Sequence, residues 1–113
     1  MFFKKKSDTQ KIVEIKHELE NMAASMDVLI SLAKDNAELV DVLEEIQGKV
    51  KYFNPTQDKD VQALDKKINN KLGDLKIDIS KGKNKEDYTK ALETAREVRD
   101  ILVVERTSKA NRK

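Results

Sequence analysis

From Asp8 to Ala33 the apolar residues Ile12, Ile15, Leu19, Met22, Met26, Leu29 and Ala33 recur in alternating steps of three and four. A heptad seam of this kind puts every apolar side chain on one stripe of a helix, and that stripe must be covered by another helix. Ser7 or Asp8 can cap its start by accepting from an orphan backbone N–H. A second stripe runs through Leu39, Leu43, Ile46, Val50 and Phe53 in a shifted register. A third runs through Val61, Leu64, Ile68, Leu72, Leu75 and Ile79, and a fourth through Tyr88, Leu92, Ala95, Val98 and Leu102.

The segments between the stripes read as turns. Asp35, with Glu38 three residues on, has the pattern of a capping box. The alternative is one long helix over 8–53 with a stutter, since neither Gly nor Pro interrupts it. Pro55 disfavours helix at Asn54 and suits the first turn of the next helix. Gly82 can take a left-handed helix stop, with Asn84 capping the start of the fourth helix. Gly73, inside the third stripe, suggests close helix packing or a bend. Short connections favour antiparallel neighbours, so the expected fold is an all-α, up-down-up-down four-helix bundle over 8–106. It is flanked by a basic N-terminal tail (1–7) and a basic C-terminal tail (107–113). The long first helix would instead give a three-helix or dimeric coiled-coil bundle.

Composition narrows the chemistry. Charged residues make up 39% of the chain, well above the ~25% of ordinary domains, as in helical bundles and coiled coils. There is no Cys, one His and only three Gly. Thiolate metal sites, a cysteine nucleophile, a multi-histidine site and a glycine-rich phosphate loop are therefore excluded. Glu14 and His17 form one Glu-x-x-His, whereas a di-metal bundle needs two such motifs and two further inward Glu. The stripes are aliphatic, with no polar residues converging on the core, so neither a cofactor, a metal nor a small-molecule substrate is expected. The Phe2-Phe3 pair is too short for the apolar core of a signal peptide.

The net charge of +2 conceals an uneven distribution. Lys4, Lys5, Lys6 and Lys11 outweigh Asp8 at the start, and Arg106, Lys109, Arg112 and Lys113 gather at the end, leaving an acidic body between them. Both tails should leave the same end of an up-down-up-down bundle. Phe2, Phe3, Lys4, Lys5, Lys6, Arg112 and Lys113 are thus candidates for contact with an anionic membrane surface. The bland reading is that such tails are simply solvated. No recognition-helix signature accompanies the charge, so no nucleic-acid partner is expected.

His17 falls at an outward heptad position on the first helix, where an inert surface imidazole is the ordinary occupant. The stretch from Val13 to Asn21, followed by the aliphatic run Met26–Leu32, resembles the phosphoacceptor hairpin of sensor histidine kinases and related phosphorelay proteins. In those families an exposed histidine on a first helix is often followed by an acidic residue, here Glu18. In some subfamilies an Asn lies four residues on, here Asn21. The chemistry requires a neutral imidazole nitrogen projecting into water, with a carboxylate to orient the ring. Glu20 stands where a basic residue is common, and the Pro often found after the histidine is missing. No ATP-binding motif occurs in residues 54–113, so the resemblance implies a phosphotransfer intermediate, not a kinase.

Three functions compete on these grounds. The first is a small, non-enzymatic, cytoplasmic bundle that binds another protein chain, or a second copy of itself, as an adaptor or regulatory accessory. Val40, Val42, Val103 and Val104 are the apolar residues expected to remain for such a contact. The second is phosphotransfer through His17, and the third is peripheral membrane binding.

Overall fold

A computed structural model describes the backbone of residues 8–111 and the side chains of residues 13–111. The fold is all-helical: α1 (Asp8–Leu32), α2 (Ala37–Val50), α3 (Lys59–Lys85), and a fourth rod composed of α4 (Thr89–Glu97), a π-helical turn (Val98–Leu102) and α5 (Val103–Ala110). These four units pack as a four-helix bundle with alternating direction. The hairpins α1–α2 and α3–α4 lie side by side, so that α1 runs along α3 and α2 runs along the fourth rod. Neither α2 and α3 nor α1 and the fourth rod touch along their backbones. Successive helices α2 and α3 therefore occupy opposite corners, and residues 51–58 cross between them.

The seams predicted from the spacing form the core. Met22, Met26 and Leu29 of α1, with Ala33 just beyond its end, meet Leu39, Leu43 and Ile46 of α2, Ile68, Leu72, Leu75 and Ile79 of α3, and Ala91, Ala95, Val98 and Leu102 of the fourth rod. Each Leu, Ile or Met fully removed from water stabilises the fold by roughly 1.5–3 kcal/mol. Ile15 is buried and Leu19 half-buried, while the side chain of Ile12 lies outside the described residues.

The boundaries differ from expectation in four places. First, the expected turn between α1 and α2 forms and the alternative of a continuous helix over 8–53 does not, but the cap differs. The start of α2 is capped by Asn36, whose Oδ1 accepts from the Leu39 N–H at 2.9 Å, and not by Asp35. Glu38 pairs instead with Arg96 of α4. α2 ends at Val50, although Phe53 still packs against the core.

Second, Pro55 lies in the connection, not in the first turn of α3. Asp58 caps that helix, its Oδ1 accepting from the N–H groups of Asp60 at 2.8 Å and Val61 at 3.2 Å. Third, α3 runs past Gly82 and Asn84 to Lys85, and Glu86 takes the left-handed conformation with φ 57°. The role of Gly82 is proximity: a Cβ there would stand 2.6 Å from the Asp87 carbonyl oxygen. Asp87 accepts from both the N–H and the hydroxyl of Thr89 and so starts α4. Gly73, by contrast, is exposed with open space around it and marks neither close packing nor a stop.

Fourth, α5 continues to Ala110, past the expected boundary at 106. Within it Arg106 faces the core and is only 2% exposed. The expectation of a core without polar groups is overturned here, because Arg106 meets the equally buried Asp65 of α3. Val42 and Val103, expected as residual surface, are also buried, and Val40 is half-buried. Of the four, Val104 alone is exposed.

Candidate functional site

The helical periodicity places His17 outward on α1, with its side chain 72% exposed. Its nearest charged neighbour is Glu20, one turn on, at 3.9 Å from Nδ1. Glu18 does not orient the ring. Consecutive helical residues do not face each other, and the Glu18 carboxylate turns towards α3, where Oε1 accepts from Asn69 Nδ2 at 3.0 Å. The same amide donates to the Glu18 carbonyl at 3.1 Å, so Asn69 clasps α1 to α3 at this level. Asn21 is exposed and borders the α1–α3 groove beside Glu18 and Asn69. The three residues of the phosphoacceptor resemblance therefore split: His17 is open to solvent, and Glu18 is engaged in holding two helices together. Phe2, Phe3, Lys4, Lys5, Lys6, Arg112 and Lys113 lie outside the described residues.

A second constellation lies at the end of the bundle where α1 and α3 begin and α5 ends. Arg106 Nε donates to Asp65 Oδ1 at 2.9 Å, and its Nη2 donates to Asp65 Oδ2 at 3.3 Å and to the Asn54 carbonyl at 3.0 Å. The guanidinium carbon sits 4.3 Å from the centre of the Phe53 ring. One side chain thus ties together α5, α3 and the connection between α2 and α3. Among the described residues, no buried side-chain nitrogen or oxygen is left without a hydrogen bond. Burial pushes the Asp65 carboxyl above its ordinary value, and the hydrogen bonds and charge of Arg106 pull it back only in part.

Outside this pair lies a groove between the 51–58 connection and α5. Its walls include Tyr52 and Pro55 on one side and Val104 and Ala110 on the other, with Phe53 and Arg106 also lining it. Tyr52 is 74% exposed and Val104 50% exposed, and Ile101, about a turn before Val104, is 58% exposed. Among the described residues, two of the six large apolar side chains left in water, Tyr52 and Val104, line this groove, while Ile101, Val13, Val28 and Ile77 do not. A grouping of exposed apolar side chains is informative where single ones are not. The Lys51 ammonium lies over the Tyr52 ring, 5.2 Å from its centre.

Sequence reasoning missed Asp65 and Arg106. A signal was present: Glu105 and Arg106 follow Leu102 by three and four residues, so either can continue the fourth stripe, and Asp65 follows Val61 by four on the third. A cation and an anion on the inward faces of two helices are a matched pair in search of contact. Among the described residues there is no group of side chains able to hold a metal ion, and no helix is long and apolar enough to cross a membrane. Neither a protein-family model, nor a curated protein, nor a solved structure matches this chain.

Proposed function

We propose that this protein is a non-enzymatic helical-bundle module that binds another protein chain, as an adaptor or regulatory accessory, through the groove between the 51–58 connection and α5. The observation that supports this reading is that the exposed Tyr52 and Val104 both line one concave surface. Aromatic and aliphatic side chains standing in water at a groove are what a partner desolvates on docking. Arg106 joins the two walls of the groove, bonding α5 to α3 and to Asn54. The partner is either a second copy or a different protein. Sedimentation over a range of concentrations detects the first, and affinity capture from cells at physiological concentration detects the second. The reading expects an association that Tyr52→Ser with Val104→Asp abolishes and that Val13→Asp leaves intact. Absence of any association, or one indifferent to the groove variants, counts against it.

A second reading rests on the 72% exposure of the His17 side chain. A phosphotransfer intermediate requires such an open imidazole. Incubation with phosphorylated receiver domains should then yield acid-labile phosphate on the protein that His17→Ala eliminates. Failure with several receivers would sink it.

A further inference from the structure

The fourth rod is not a regular helix, and its irregularity coincides with the buried ion pair. Between Val98 and Leu102 the turn widens to π geometry, and the Val103 N–H donates to the Val98 carbonyl, five residues back. Such a turn accommodates one extra residue in a helix. Every residue after it consequently occupies the place that the preceding residue would hold in an uninterrupted α-helix.

The sequence Ile101-Leu102-Val103-Val104-Glu105-Arg106 shows what that shift achieves. In the observed register Leu102 and Val103 are both buried, Val104 faces the groove, and Arg106 meets Asp65. Without the wide turn Val103 would move into the exposed place of Val104. Glu105 would take the place of Arg106 beside Asp65, setting two carboxylates together out of water. Arg106 would move to the exposed place of Thr107.

We propose that the wide turn is a register-setting device: α5 has two registers one residue apart, and the buried Arg106–Asp65 pair selects the π-containing one over the uninterrupted helix. A polar pair buried in an apolar core specifies register in this way because the alternative leaves a charge unpaired or facing its like. The run of four apolar residues from Ile101 to Val104 is what makes a second register available, since either one buries aliphatic surface. The register determines which residues wall the groove, and the pair sets it whether or not that groove binds a partner.

The test exchanges the two charges. Glu105→Arg with Arg106→Glu places the cation opposite Asp65 only in the uninterrupted helix, so the double variant should abandon the wide turn. The chain contains no Cys, and a single thiol introduced as Val103→Cys or Val104→Cys therefore reports the register by its rate of alkylation. In the parent background the thiol at 104 should react faster than that at 103 by roughly tenfold or more, because a buried site reacts only through opening. In the charge-exchanged background residues 103 and 104 take the exposed places of Val104 and Glu105, so the thiol at 103 should lose its protection and react about as fast as that at 104. A thiol at 103 still protected roughly tenfold in a folded charge-exchanged protein would overturn the proposal.

Deletion of Asp100 tests the same claim with no buried charge moved. Asp100 is exposed and hydrogen-bonded to its neighbour Arg99. Removing it should convert the wide turn to an α-turn and leave a folded, helical protein in which the thiol at 103 is still protected. Deletion of Glu93, in the regular part of the rod, should instead disrupt the fold. Equal disruption by the two deletions would refute a register-setting role for the turn.

Discussion

Asp65 and Arg106, forty-one positions apart in the chain, face one another between α3 and α5 with side chains 2% and 3% exposed. Two parallel hydrogen bonds join them, and Nη2 of Arg106 also donates to the Asn54 carbonyl. A pair this dry gives up much of its Coulomb gain to the cost of leaving water. Its value lies in specifying which faces of α3 and α5 meet.

Arg106→Met leaves the Asp65 carboxylate buried without its cation and should cost roughly 3–5 kcal/mol. Replacing both groups, as Asp65→Leu with Arg106→Met, should be neutral or stabilising by about 1–4 kcal/mol. Chemical denaturation of the two variants measures the difference. A double variant as unstable as the single one would mean that the pair contributes net stability rather than specificity.

The core was legible because heptad spacing is a property of the residues themselves: Met22, Leu43, Leu72 and Ala95 lie where their stripes put them. The helix ends were harder. Asp35 and Asn36 are adjacent and both are good caps, and the choice depends on which backbone oxygens and N–H groups the turn presents. At Gly82 the residue type suggested a left-handed stop, whereas its missing side chain makes room for the Asp87 carbonyl from the next turn. Arg106, the last residue of the expected bundle, was counted only with the basic charge at the end of the chain, because its partner Asp65 is remote in sequence. For His17 the spacing gave an outward position, but the engagement of Glu18 with Asn69 depends on how α1 and α3 are paired. That pairing follows from the diagonal crossing of residues 51–58, which no local pattern encodes.

The cap of α2 offers a direct comparison of neighbours. Asn36→Ala removes the acceptor for the Leu39 N–H and should destabilise by about 1 kcal/mol, within the ~0.5–2 kcal/mol typical of N-caps. Asp35→Ala should cost clearly less, because its ion pair, a 4.0 Å contact to Lys83, is exposed and such pairs contribute little. Thermal unfolding of the two variants under the same conditions checks the order.

Acid should act on the start of α4. The Thr89 hydroxyl and N–H, both donating to Asp87, hold its carboxyl below the ordinary 3.8. The unfolded chain therefore takes up this proton first as pH falls, so the contribution of the ionised group is present above 3.8 and lost as pH drops through the folded value. Asp87→Asn should reduce stability near neutrality, and the difference from the parent should shrink in acid. A difference constant with pH would show that the carboxylate charge has no part in the cap.

Two glycines of α3 should respond to alanine in opposite ways, although both are helical. At Gly73 no atom lies within 4 Å of an added Cβ. Only the backbone term operates there, and Gly73→Ala should stabilise by about 1 kcal/mol. At Gly82 the same propensity gain is opposed by a contact of 2.6 Å with the Asp87 carbonyl oxygen and 3.2 Å with the Tyr88 ring. The oxygen belongs to backbone that must stay close, because the Asp87 N–H donates to the Gly82 carbonyl at 2.9 Å. Gly82→Ala should therefore push α4 away from the end of α3 and lower stability despite the better helix former. The midpoint of thermal unfolding should rise for the first variant and fall for the second. A rise in both would mean that the α3–α4 turn yields easily, and that Gly82 is not what holds it closed.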